Sequence, residues 1–322
     1  MMKKYLRYLA AGLLTCTLAA CSNQGNESSS EKVDVGIIQY MEHDSLQRAK
    51  EGFQDSLKEA GYEEGKNLEI EFHNSQGDQS NLQSITQQLK GKKDLILSIA
   101  TPAAQAMLNT DKETPQLFTA VTDPVGAKLV ESMEKPGKNM TGTSDMAPVG
   151  DVVDLLLKAD PSIKTIGILY NSSEMNAQVQ YEQAKEYIES KGLKVESMTV
   201  TSTNDVQQAT KILAEKVDGI YLPTDNTIAN TIQTIGKVLM ETKTPSVAAF
   251  DAAIEGSLCA YGVDYYKLGQ QTGNMAVDIL KGNKKPEDIP VESSKDMVIK
   301  VNDEMAAALG MDSEDLKVRL NG

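Results

Sequence analysis

Five short polar clusters carry the residue types able to bind or transform a small molecule: "QYMEHD" (39 to 44), "ATPAAQ" (100 to 105), "YNSSEMN" (170 to 176), "PTDN" (223 to 226) and "FDAA" (250 to 253). In "ATPAAQ", Thr101 reads as an N-cap with Pro102 at the first helical position. The same start offers the N–H groups of Ala103 and Ala104 beside the Thr101 hydroxyl, a set suited to a carboxylate or phosphate. In "YNSSE", Asn171 and Ser173 can donate to an anionic group while Glu174 accepts from a cationic one; capping with a first-turn carboxylate is the alternative. Asp225 and Asp251 read as caps in mirrored turns. Facing a cleft opposite an anion-binding helix start, they would instead suit the ammonium of a zwitterion such as an amino acid.

Other chemistries lack their residues. His43 and His73 are the only histidines and have no metal-ligand spacing, so "EHD" is not read as a metal or catalytic centre. No G-x-S-x-G, P-loop or G-x-G-x-x-G occurs, which disfavours hydrolase, NTPase and dinucleotide functions. No cofactor is expected. Tyr40, Phe250, Tyr261, Tyr265 and Tyr266 fall near predicted strand ends or crossings, where one or two could wall a pocket for an aromatic or apolar side chain.

The elements that must position these clusters alternate strand-length apolar runs with helical periods, the pattern of an α/β protein with parallel sheets. "VDVGIIQ" is followed by Leu46, Ala49, Phe53, Leu57 and Ala60 on one helical face. "NLEIEF", "DLILSIA" and "QLFTAV" continue as strands, and "PGKNMTG" reads as a connection, with a domain crossing near 142 to 148. "TIGILY", "KVESMTV", "DGIYLP" and "SVAAF" repeat the rhythm, with Ile228, Ile232, Ile235 and Leu239 as one helical stripe. "NDEMAAALGMDSEDLKVRL" reads as a terminal amphipathic helix. A finer echo links "DLILSIATPAAQAML…TPQLFTAVTDP" to "DGIYLPTDNTIANTI…TPSVAAFDAAI", which suggests two lobes of one architecture. Ligands of open parallel sheets sit at the carboxyl ends of strands, so two facing lobes make a cleft.

Residues 1 to 20 read as an export signal: Lys3, Lys4 and Arg7 precede an apolar stretch from Leu9 to Ala20. "LAAC" resembles a bacterial lipobox, which makes Cys21 the expected lipidation site. "SNQGNESSSE" then reads as a tether over 21 to 32. The signal's three positive charges leave with it and take the formal net charge from −14 to −17, a poor match to nucleic acid. Cys16 leaves as well, so Cys259 stands alone and no disulfide framework is available.

Taken together, "QYMEHDSLQRAKEGFQDSL", "QLFTAVTDPVGAKLVESMEKPGKNMTGTSD", "DPSIKTIGILYNSSEMN", "LPTDN" and "AYGVDYYKLGQQTG" resemble the substrate-binding lipoproteins of ABC importers of the tryptophan/tyrosine type. The resemblance implies a type I periplasmic-binding-protein fold: two Rossmann-like lobes with parallel sheets, joined by a three-strand hinge that closes on the ligand. It implies lobe 1 over 33 to 144 plus about 256 to 286, and lobe 2 over 145 to 255 plus about 287 to 322. It raises Thr101, Ala103, Ala104, Asn171, Ser173, Glu174, Asp225 and Asn226 to ligand-binding positions, with Asp251, Tyr40 and Glu42 beside them. Asp44 stands where the family has proline after Glu-His, so the loop carrying Glu42 and His43 departs from the pattern. The expected function is capture of an aromatic amino acid by a monomer anchored on the extracytoplasmic membrane face, for a permease with a separate ATPase subunit. Branched aliphatic amino acids or nucleosides are the alternative ligands, and a ligand-sensing lipoprotein is the alternative role.

Overall fold

The computed structural model describes residues 32–294 and 297–321. The predicted signal, Cys21 and all of the tether except Lys32 lie outside them.

The chain begins with β1 (Val33–Gln39), α1 (Asp44–Glu59), β2 (Leu68–Asn74), α2 (Gln79–Leu89), β3 (Leu95–Ile99), α3 (Thr101–Thr110), β4 (Gln116–Val121) and β5 (Met140–Ser144). It continues with α4 (Val149–Ala159), β6 (Thr165–Asn171), α5 (Met175–Ser190), β7 (Lys194–Val200), α6 (Val206–Ala214), β8 (Gly219–Leu222), α7 (Asn226–Asn230), α8 (Ile232–Thr242), β9 (Ser246–Ala248) and β10 (Cys259–Val263). It ends with α9 (Tyr265–Leu280), β11 (Glu292–Ser293), β12 (Met297–Val301), α10 (Asp303–Ala308) and α11 (Ser313–Asn321).

Two six-stranded sheets result, ordered β11-β5-β4-β3-β1-β2 and β12-β10-β9-β8-β6-β7. Every pairing is parallel except β10 with β12. Parallel sheets must be covered on both faces, and the central strands are accordingly buried throughout: β3, β4 and β8 expose no residue. The edge strands β2 and β7 are half-buried to exposed along most of their length and carry the charged residues Glu69, Glu71, Lys194 and Glu196, which blunts them against further pairing.

The apolar stripe of α1 holds as expected: Leu46, Ala49, Phe53 and Leu57 are buried, each large side chain worth about 1.5–3 kcal/mol. What that stripe meets was not legible, because its partner α9 lies two hundred residues on. The two helices approach so closely that a Cβ on Gly52 would stand 2.0 Å from Tyr266 O, and one on Gly269 would stand 2.0 Å from Ala49 O.

That docking corrects the lobe boundaries. β10 pairs within the second sheet, so residues 259–263 belong to lobe 2 rather than lobe 1. The chain crosses at Asp264, α9 returns to lobe 1, and β11 pairs with β5, which keeps residues 292–293 in lobe 1 as well. The first crossing runs from Asp145 to Pro148, and β11 of the first sheet is followed by β12 of the second.

Three local expectations also change. The end of "PGKNMTG" is not connection but the start of β5, whose Thr141, Thr143 and Ser144 are buried without apolar alternation. Its hydroxyls pair instead: Thr143 Oγ1 lies 3.1 Å from Thr119 Oγ1 and 2.8 Å from Thr272 Oγ1, tying β4, β5 and α9 together. The stripe from Ile228 to Leu239 is buried as read, yet it spans two helices broken at Thr231. The terminal helix likewise divides into α10 and α11 at Gly310, whose φ of 74° suits glycine.

Candidate functional site

Carboxyl ends of both sheets converge on one cavity between the lobes. Lobe 1 contributes His43, Ser45 and Leu46 from the start of α1, with Ala120 and Thr122 from the end of β4. Asp145 and Tyr265 come from the two described crossings. Lobe 2 contributes Asn176, Thr224, Asp225, Asn226, Ala229 and Phe250. Local strain shapes the lobe 1 wall: Ala120 takes φ 55° where the β4–β5 register shifts, and Ala100 takes φ 80° at the end of β3.

The cavity volume is about 20 Å³, enough for roughly one water. An amino acid therefore enters only after the walls separate. Few polar contacts resist that separation: His43 Nε2 lies 3.3 Å from Asn226 Oδ1, Asn230 Nδ2 donates to Glu42 O at 2.8 Å, and Arg48 stands 3.8 Å from Asp251. Ion pairs as exposed as that of Arg48 contribute little.

Two carboxylates meet at the start of α7. Asp225 caps the helix, with Oδ1 accepting from Ile228 N at 3.0 Å and Oδ2 accepting from Asn171 N at 2.5 Å. Glu174 accepts from Asn171, Asn176, Asn226 and Thr227, including the backbone N–H groups of Asn226 and Thr227. Both carboxylates are buried, and neither has a Lys or Arg within ion-pair distance among the described residues. Burial first, then the Glu174 charge, pushes the Asp225 carboxyl well above the usual range. Burial and the same Glu174 raise Tyr40, on the facing lobe, to about 12.

Among the described residues, buried side-chain polar atoms without a hydrogen-bond partner gather here: His43 Nδ1, Ser45 Oγ, Asp145 Oδ1 and Asn176 Oδ1 all belong to residues lining this cavity. Such atoms cost free energy unless something supplies their bonds. Burial lowers His43 from 6.5 to about 4, the Asn226 bond opposing the shift, so the ring is neutral. Asp145 is raised by burial, against hydrogen bonds from Tyr265 and Thr122.

Of the residues singled out in the sequence, Asp225 and Asn226 line the cavity. Asn171 and Glu174 adjoin it through their bonds to Asp225 and Asn226, whereas Tyr40, on the facing lobe, bonds Gly77 O through its hydroxyl at 3.3 Å. Asn171 and Ser173 are not free donors: Asn171 Nδ2 bonds Thr227 Oγ1 at 2.8 Å, and exposed Ser173 turns its hydroxyl back to Asn171 Oδ1 at 2.6 Å. Glu42 is exposed and borders a shallower outer groove. Asp251 is held by Lys300 at 2.9 Å rather than capping a helix. The α3 start also differs: Ala100 is its cap, and Ala104 N donates to Ala100 O, which leaves Ala103 N–H and the unpartnered Thr101 Oγ1. Sequence reasoning passed over Ser45, Thr122, Asp145, Asn176 and Thr224. The available signal was Asp145's place directly after a run of hydroxyl residues at the expected crossing.

Residues 34–319 match the family model described as ABC transporter substrate binding protein. A tyrosine-binding protein of Clostridioides difficile is 39% identical over 321 residues, covering 96% of this chain and 93% of that one. A Streptococcus pneumoniae ABC domain solved in complex with L-Trp superposes with a TM-score of 0.85 at 38% identity, over 90% of this chain and 98% of that one. The ligand-free, open structure of a substrate-binding protein with adhesive properties from Clostridium difficile reaches only 0.68 despite 43% identity, over 87% and 95%. A two-lobed, parallel-sheet architecture of the type I periplasmic-binding-protein class, closing on a polar cavity at its hinge, agrees with the family match: the chain belongs to the ABC transporter substrate-binding family.

Proposed function

We propose that this chain captures an aromatic amino acid between its lobes and presents it to an ABC permease driven by a separate ATPase subunit. The observation that carries the reading is the buried pair Glu174 and Asp225, two carboxylates without a cationic partner among the described residues. An ammonium placed beside Asp225 supplies the missing charge and favours the ionised form. At the end of β3, Thr101 Oγ1 and Ala103 N–H suit the ligand's carboxylate. Phe250 and Tyr265 supply aromatic lining. Support for the side-chain class comes from relatives named for tyrosine or solved with L-Trp.

The working cycle is hinge closure. Each lobe holds part of the ligand, so ligand stabilises the closed arrangement that the permease reads. The protein works as a monomer outside the cytoplasm, held to the membrane by a lipid on Cys21 through the tether. It uses no cofactor and performs no turnover.

Calorimetry with phenylalanine, tyrosine and tryptophan tests the reading, with branched aliphatic amino acids and nucleosides as comparators. Asp225→Ala should weaken binding by about 2–5 kcal/mol, as expected for one side of a buried charge pair. Unchanged affinity would leave Asp225 a helix cap only, and tight binding of a different solute class would overturn the ligand.

A further inference from the structure

We propose that Asp145 is the specificity-determining residue of the cavity: its buried, unpartnered oxygen accepts a hydrogen bond from the ligand's side chain, the phenol O–H of tyrosine or the indole N–H of tryptophan. The inference rests on the aromatic amino acid reading above and adds which aromatic side chains are admitted.

Asp145 is 2% exposed and lines the cavity at the first crossing. Tyr265 OH donates to Oδ2 at 2.8 Å, and Thr122 lines the same cavity. The Tyr265 bond orients the group and leaves Oδ1 without a hydrogen-bond partner. In its ionised form the carboxyl only accepts, so a donor is the group that suits the space beside Oδ1. The same cavity carries aromatic and apolar lining in Tyr265, Phe250, Leu46 and Ala120.

The amino acid's own ammonium has its place elsewhere. Glu174 accepts from the N–H groups of Asn226 and Thr227 at the start of α7, where Asp225 accepts from Ile228 N, whereas Asp145 is held by Tyr265 OH at the crossing. The acidic centre at α7 and the carboxylate at the crossing are therefore separate features of one cavity. With the zwitterion held at the first, Asp145 remains for the far end of the ligand. Tyrosine and tryptophan both carry a donor there, and phenylalanine has none.

A site built around a buried acceptor discriminates strongly, because the analogue without the donor leaves that acceptor unpaired. Tyrosine and tryptophan should each bind on the order of ten- to a hundredfold more tightly than phenylalanine. The test compares affinity ratios by calorimetry in three proteins: wild type, Tyr265→Phe, and the double variant Asp145→Ala with Tyr265→Phe, which leaves no phenol stranded. Ratios cancel general damage, and ligand-free melting checks that each protein folds. The Tyr/Phe and Trp/Phe ratios should persist in Tyr265→Phe and collapse by about tenfold or more in the double variant.

Equal loss for all three amino acids in the double variant would assign Asp145 to the common amino acid head and overturn the proposal. Equal wild-type affinities for the three would overturn it too, while leaving the aromatic reading intact. A wild-type protein that takes none of them refutes both.

Discussion

His43 makes closure sensitive to protons, and the size of the effect follows from its surroundings. Its Nε2 meets Asn226 Oδ1 across the cleft, and Nδ1 is shut away from water without a partner. Burial holds the closed-state value near 4 against the ordinary 6.5, which the ring regains once the lobes part. The shift is downward, so the neutral form favours closure. That contribution is complete above pH 6.5 and is lost as pH falls toward 4. Comparing proton uptake by the open and closed forms gives closure a penalty of about thirtyfold at pH 5 and almost none at pH 7. Ligand affinity should therefore fall about twentyfold between those values, less whatever the residue's residual exposure screens. Facing groups include the neutral Ser45 and Asn226 and the carboxylates Glu42, Asp44 and Asp225. Asp225, itself raised, would weaken ammonium binding in the same direction. His43→Gln separates them: calorimetry across pH 5 to 7 should give a steep slope for wild type and a much flatter one for the variant. An undiminished slope in His43→Gln would refute the argument and pass the dependence to Asp225.

Two further predictions concern the scaffold. Gly269→Ala forces a Cβ to 2.0 Å from Ala49 O in the α1–α9 contact, so the helices must separate; a loss of about 1–3 kcal/mol is expected in denaturant unfolding. Cys259 is buried, its thiol raised to about 12 by burial and its Sγ 3.8 Å from Ser246 O. Thiol reagents should leave it unlabelled in the native protein and label it on unfolding.

Helix faces and central strands were legible because burial imposes a period on the residues that meet it. Leu46, Ala49, Phe53 and Leu57 keep the helical spacing, and "DLILSIA" is continuously apolar because both its faces are covered. β5, β10, β11 and β12 were not legible. β5 satisfies its burial with a ladder of threonine hydroxyls rather than apolar alternation, and β11 is two exposed residues that gain meaning only beside β5.

For the site, the chain alone identified the strand-end clusters, the absence of metal and nucleotide motifs, and Asp225 with Asn226 as residues that could face a ligand. Capping and turn chemistry are written in a few adjacent residues, so such candidates can be named without a fold. Tertiary structure alone decided which candidates were already engaged. Asn171 and Ser173 are occupied by their own loop, and Asp251 by Lys300. Only the fold could bring His43, Asp145 and Tyr265 into one cavity with Asn176 and Phe250, because their meeting depends on two lobe crossings and on α9 docking against α1. An unpartnered atom such as Asp145 Oδ1 is a property of its neighbours in space, and the residue that bonds its carboxyl, Tyr265, stands more than a hundred residues away along the chain.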